Sequence, residues 1–219
     1  MGDKILQFEK VSKSYDENLI FEDISFDLEI GKSLCIKAPS GKGKSTLLSI
    51  AGLLLQPSYG QVIFDGTDTT KLMDKDMSKI RCTDIGFLFQ HTQLAGALRA
   101  HENVSLSANF ADKSSRGLSR SEIDERKKEL LDRFGLMERY YYFPSQLSIG
   151  QKRRIACARA LFMNPELIIA DEPTNDLDEE NKKILVDALF EPVVSGSSAL
   201  LFATHDEELA RKADSIIEL

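Results

Sequence analysis

Apolar and polar residues alternate through the first part of the chain and then cease to. From Ile5 to Val11, and again through Ile24, Phe26, Leu28 and Ile30, the period is two, which is that of a strand buried on one face. Together with the runs Leu34 to Ala38 and Val62 to Phe64, the latter followed by the turn pair Asp65-Gly66, this region predicts a half-buried antiparallel sheet. After Ile85 to Phe89 the texture changes. Helix formers and charges dominate from His101 to about Phe143, with a polar break from Asp112 to Arg120, and they predict a separate helical subdomain. Short runs that are apolar throughout return at Leu167 to Ala170 and Ala199 to Ala203. Strands of that kind are buried on both faces, as in the centre of a parallel sheet with intervening helices. The last run, Ser215 to Leu219, reads as one more strand, which would lead into a turn and a further strand. No internal repeat is visible.

Composition narrows the function classes. With 219 residues, 42% of them hydrophobic, the chain suits one large domain or a domain with a small insert. No apolar stretch approaches the roughly 18 to 20 residues that cross a bilayer, and the start, Met1-Gly2-Asp3-Lys4, lacks a signal-peptide core. Membrane contact is therefore expected to come through a partner. A formal charge of −7 argues against a nucleic-acid partner, because such binding depends on neutralising phosphates. The clusters Arg126-Lys127-Lys128 and Lys152-Arg153-Arg154 read as solvated helix faces. Three cysteines, Cys35, Cys82 and Cys157, lie far apart and in no metal-binding spacing; they read as reduced, mostly buried residues of a cytoplasmic protein. His91 and His101 lack companions for a metal site.

Chemistry enters between the strand-like Leu34 to Lys37 and the helix-like Leu47 to Leu55. The intervening residues are Ala38, Pro39, Ser40, Gly41, Lys42, Gly43, Lys44, Ser45 and Thr46. Glycines there let successive backbone N–H groups turn around an anion at the positive end of the next helix. The spacing is that of a phosphate-binding loop, in which Lys44 reaches the β- and γ-phosphates and Ser45 ligates Mg²⁺. Ala38 replaces the glycine that opens the pattern, so its φ is expected to be negative. Downstream, the apolar run Leu167 to Ala170 ends in Asp171-Glu172, which would place two carboxylates at the end of a strand beside that loop. Asp171 is the candidate Mg²⁺ ligand. Glu172 is the candidate general base toward water, a role typically worth ~10²–10⁴-fold.

Between these motifs lies Leu147-Ser148-Ile149-Gly150-Gln151, opening a helix that shares Ile155, Ala158, Leu161 and Phe162 on one face. The set, with Gln90 after an apolar strand, Leu177-Asp178, and His205 after another strand, resembles the ATP-binding cassette family over essentially the whole chain. The resemblance implies an α/β fold: a P-loop NTPase with a mixed RecA-like core sheet, an antiparallel β subdomain and a helical subdomain. On that reading residues 1–90 and 164–219 form the core and β subdomain, and about 91–163 the helical subdomain. ATP and Mg²⁺ are the implied ligands. Tyr15 would stack on adenine, Gln90 would complete the Mg²⁺ shell, His205 would sense the γ-phosphate, and Ser148, Gly150, Gln151 and Asp178 would belong to the interface at which two cassettes pack head to tail. The signature carries Ile149 where the family has glycine, a departure that bears on ATP affinity and closure.

The resemblance also implies partners: a second copy or a related cassette, and an integral membrane permease that holds the chain at the cytoplasmic face of the membrane. Ile85-Gly86-Phe87-Leu88-Phe89-Gln90, Glu102-Asn103-Val104 and Pro144 to Ser148 are similar to the group containing the lipoprotein-releasing, macrolide-export and cell-division cassettes. Transport of a peptide, lipoprotein or antibiotic is the leading reading, and a mechanical cassette of the cell-division type is the alternative. The run Leu94 to Ala100 is alanine-rich where those relatives carry proline and threonine, on the surface expected to receive the permease. A nucleotide kinase would need a lid and a second-substrate site, and neither fits the signature and His205.

Overall fold

A computed structural model describes residues 3–39, 41–111 and 117–219. In chain order the first elements are β1 (Lys4–Tyr15), β2 (Asn18–Glu29), β3 (Ser33–Lys37), α1 (Lys44–Ala51), β4 (Tyr59–Phe64) and β5 (Thr67–Asp68). The middle holds α2 (Asp74–Thr83), β6 (Ile85–Leu88), α3 (Ala100–Val104), α4 (Arg120–Arg133) and α5 (Ile149–Leu161). The last part alternates β7 (Leu167–Asp171), α6 (Glu179–Val194), β8 (Ala199–Ala203), α7 (Glu207–Ala210) and β9 (Ser215–Glu218). Two sheets result, an antiparallel one ordered β2-β1-β4-β5 and a parallel one ordered β6-β7-β8-β3-β9. Most of the polar break at 112–120 lies outside the described residues. Among the described residues no helix is long and apolar enough to cross a membrane.

The alternating segments pair as expected, but Leu34 to Ala38 does not join them. It forms β3 inside the parallel sheet, between β8 and β9. The reason is visible in its burial: Leu34, Cys35 and Ile36 are all inaccessible, so the segment has no face to offer water. A second expectation is shortened. The apolar run to Leu55 stops being helical at Ala51 because Gly52, packed against the Phe87 ring, ends the helix and Leu53 turns to φ 56°.

Strands β3, β7 and β8 of the parallel sheet divide their side chains between two cores. Ile168, Ala170, Leu200, Phe202 and Cys35 face a core built with α4, α5 and α6. Leu167, Ile169, Leu201, Leu34 and Ile36 face the other, shared with α1 and the antiparallel sheet. This period-two partition is what makes a doubly covered strand apolar throughout. Helix α5 lies close on β6 because Gly86 carries no Cβ; one placed there would sit 2.2 Å from the Ala160 carbonyl oxygen. The strands also finish level. Ile36 of β3 and Asp171 of β7 both pair with Ala203 of β8, and Leu88 of β6 pairs with Ala170. Four carboxyl ends therefore open on one side, where ligands bind in sheets of this kind.

Candidate functional site

The loop after β3 reverses direction through Gly41 and Gly43, whose φ angles are 78° and 88°. Gly43 is required twice over, because it is also the N-cap of α1 and a Cβ on it would lie 2.6 Å from Ile20. Ala38 is not among the described non-glycine residues with positive φ, so the loop enters without strain at that position. Ser40 lies outside the described residues. No side chain caps α1 and no acidic residue stands in its first turn, which leaves its amino end suited to an anion.

Lys44 is buried, and its ammonium donates to the Ala38 carbonyl at 2.7 Å while lying 3.1 Å from His205 Nε2. Next to it the Ser45 hydroxyl donates to Asp171 Oδ2 at 2.6 Å. Glu172 follows with φ 46°, a conformation costing a non-glycine residue roughly 1 kcal/mol or more. Its backbone is held where it turns: the Glu172 N–H donates to the Ala203 carbonyl at 2.9 Å. Its carboxylate is held as well. Oε2 accepts from the His205 N–H at 3.0 Å, and Oε1 lies 3.2 Å from His205 Nε2 without the alignment of a hydrogen bond. Lys44 and Glu172 thus meet at one imidazole nitrogen.

These groups line a cleft of about 930 Å³ that includes Gly41, Gly43, Lys44, Ser45, Thr46, Gln90, Asp171, Glu172 and His205. It gathers the last residue of β7 and residues of the loops that follow β3, β6 and β8. Other candidates stand elsewhere. Ala38 and Pro39 border a neighbouring hollow with His205 and Glu207, and Lys42 is exposed. Tyr15 is 45% exposed at the β1–β2 turn, where the Lys13 ammonium lies 4.9 Å from the centre of its ring, and it is not part of the cleft lining.

The signature residues are outside the cleft too. Ser148 caps α5: its hydroxyl accepts from the Gln151 N–H at 3.2 Å and the Gln151 amide oxygen accepts from the Ser148 N–H at 3.0 Å. Ile149 is 66% exposed beside them. Gly150 packs on Asn181, 3.0 Å from where a Cβ would be, and Asn181 Nδ2 donates to both oxygens of Asp178 at 2.9 and 2.8 Å. The signature and Asp178 therefore touch each other through one amide.

Arg153 corrects an expectation. The basic run predicts a solvated face, whereas Arg153 is 4% exposed, with its guanidinium donating to the carbonyls of Phe89 and Glu172, each at 2.8 Å, and of Gln90. The signal was present in its helical spacing from Ala156, Cys157 and Ala160, all buried. Burial lowers its pKa, opposed by the nearby Asp176, Asp171 and Glu172 carboxylates. His101 stacks on Tyr140 with ring centres 4.4 Å apart, and burial likewise lowers its pKa. Among the described residues no group of three or more His, Cys, Asp or Glu side chains converges as a metal site.

A family model described as ABC transporter matches residues 21–175, which include the loop, Gln90, the signature and Asp171-Glu172. The chain belongs to the ABC transporter family. Among its relatives, the lipoprotein-releasing system ATP-binding protein LolD 2 of Rhodopseudomonas palustris is 42% identical over 200 residues, covering 91% of this chain and 84% of that one. LolD of Bacteroides thetaiotaomicron is 37% identical over 215 residues, 98% of this chain and 96% of the relative. The macrolide export ATP-binding/permease protein MacB 2 of Aeromonas hydrophila is 38% identical over 223 residues, but the ABC chain spans only 34% of its length. In structure, the cassette MJ0796, solved as a dimer in a post-hydrolysis state bound to ADP and Pi, superposes with a TM-score of 0.91 at 34% identity, covering 98% of this chain and 94% of that one. The cassette is an ATPase by this membership, and its transporter relatives favour transport over the cell-division alternative.

Proposed function

We propose that this ABC cassette powers a membrane exporter, working as two copies packed head to tail with two ATP molecules between them. The observation that carries the reading is a division within one chain: the phosphate loop, Gln90, Asp171, Glu172 and His205 share a cleft, while Ser148, Gly150 and Asp178 stand outside it. A second copy would bring the missing signature to each cleft. Lys44 then exchanges its Ala38 and His205 contacts for phosphate oxygens, and the backbone N–H groups around Gly41 and Gly43 surround the same anion. Tyr15 stacks on the adenine. Glu172 accepts the proton of the attacking water, and His205, fastened to it, orients that water against the γ-phosphate. Ser148, Gly150 and Gln151 serve the partner's nucleotide, which makes turnover conditional on closure.

Mg²⁺ fits this donor set. Ser45 and Asp171 offer hard oxygens already 2.6 Å apart, and the Gln90 amide borders the same cleft. With ATP, the ion would neutralise charge on the transferring phosphoryl group.

The chain carries out this work at the cytoplasmic face of a membrane, held there by an integral membrane permease. A lipoprotein, peptide or macrolide-like antibiotic is the proposed cargo class, because the named relatives are lipoprotein-releasing and macrolide-export proteins. A groove of about 500 Å³ beside the Gln90 loop, lined by Phe87, Phe89, Gln93, Phe110 and Met163, suits a permease segment. Lys44→Ala tests the site: nucleotide affinity should fall by more than about tenfold, since a charge-assisted contact is worth ~1.5–3 kcal/mol. Unchanged ATP affinity would remove Lys44 from the phosphate site. Co-purification of the cassette with such a permease, together with cargo-stimulated ATPase, tests the partner.

A further inference from the structure

Helix α5 carries the signature at its amino end, and its arginines hold the loop that carries Gln90. Arg153 donates to the carbonyls of Phe89 and Gln90. Arg159, nearly two turns on, donates to the carbonyls of Thr92 at 3.2 Å and Gln93 at 3.0 Å. The loop thus has four main-chain oxygens fastened to one helix. Arg153 then reaches further, to the Glu172 carbonyl. That carbonyl belongs to the residue whose φ of 46° is strained and whose N–H is already tied to β8.

A neutral side chain could fill the same space, so the charge calls for explanation. Burying a guanidinium is costly unless its donors find partners, and here three of its hydrogen bonds go to carbonyls of the two segments that carry Gln90 and Glu172. Five planar donors in a rigid fork can hold two separate strand ends in one geometry, and a lysine cannot. Arg153 is one turn from the signature and does not itself line the cleft, but it holds the carbonyls of Gln90 and Glu172, which do. Displacing α5 would therefore pull on the Gln90 and Glu172 backbones at once.

We propose that Arg153 is a positioning residue that couples the two nucleotide sites of the dimer: engagement of this chain's signature with the partner's ATP sets the backbones of Gln90 and Glu172 for hydrolysis of its own. This rests on the composite-site reading above. Within a dimer each chain supplies a signature to one site and Glu172 to the other, and α5 with Arg153 is the physical connection between them. Hydrolysis then rises cooperatively with ATP concentration.

Steady-state ATPase, ATP affinity and thermal unfolding of wild type, Arg153→Gln and Arg153→Lys test this. The wild type should show a Hill coefficient for ATP approaching two, its number of sites. Arg153→Gln should bind ATP within about threefold of wild type, lose about 10²-fold in kcat, as misplacement by an ångström does, and show a Hill coefficient near one. Arg153→Lys keeps the charge and loses the fork, so it should stay folded, keep ATP affinity and lose cooperativity. Wild-type kcat and Hill coefficient in Arg153→Lys would overturn the proposal. So would a loss of kcat that only follows a loss of ATP affinity in both variants. A wild type that hydrolyses ATP without dimerising would instead sink the composite-site reading, a distinct result.

Discussion

Cys35 and Cys157 show how far burial alone sets a residue's chemistry. Burial pushes the Cys35 thiol up to about 11 and the Cys157 thiol to about 12. Both are therefore neutral thiols in the folded protein, and the nucleophile in alkylation is the thiolate. Mass spectrometry after iodoacetamide at pH 7.5 should find neither modified until denaturant is added; rapid native labelling of Cys157 would contradict its placement. The linked stability effect has a definite sign. Above about pH 8.5 the unfolded chain's thiols ionise while the folded ones keep their protons, so the folded state binds more protons and stability falls as pH rises toward 11. Urea midpoints at pH 8 and pH 10 should show that decline, with a shallower slope in Cys35→Ala. At this scale the grouping of Lys44, Asp171, Glu172 and His205 in one cleft was legible, because the chemistry expected of them needs particular residue types at particular spacings. Arg153 was not, because a run of three basic residues suggests solvent, and only the neighbours buried beside it reveal otherwise.

Among elements, the contact of β6 with α5 is the most exacting. Gly86→Ala would force a methyl carbon to 2.2 Å from the Ala160 carbonyl oxygen and 2.8 Å from the Pro165 ring. Both neighbours are stiff, so α5 must move as a body. The expected cost is about 1–3 kcal/mol in a urea titration, with the ATPase lost more than stability predicts because Arg153 and Arg159 travel with the helix. A variant as stable and active as wild type would show that β6 and α5 are free to part. Strand positions were read well where alternation was strict, as in β1 and β2. The sheet of β3 was misassigned, since four or five apolar residues look alike in either sheet and only the parallel partners β8 and β9, far away in sequence, decide it. Helix α2 was not foreseen at all. Its apolar positions are sparse, and of its ten residues only Met77 and Thr83 are buried.

For the whole molecule, the four level strand ends explain why a site assembled from residues as far apart as Lys44 and His205 is a matter of topology. The same topology leaves the signature outside the lining of that cleft. On the proposed reading a single chain holds two unlike halves of a site, and both are folded within the chain: Ser148 and Gln151 cap α5 reciprocally, while Lys44 and Glu172 converge on His205 with Glu172 Oε1 left without a hydrogen bond. On that reading closure exchanges the Lys44 contacts for phosphate, which makes ATP the agent of association. Glu172→Gln isolates that step, because it keeps the shape of the side chain and removes its capacity to take a proton. Light scattering of Glu172→Gln with and without Mg²⁺ and ATP measures it directly. The account predicts a molar mass that doubles on adding ATP and stays doubled, with turnover reduced by ~10²-fold or more; a protein that binds ATP tightly yet remains a single chain would contradict it.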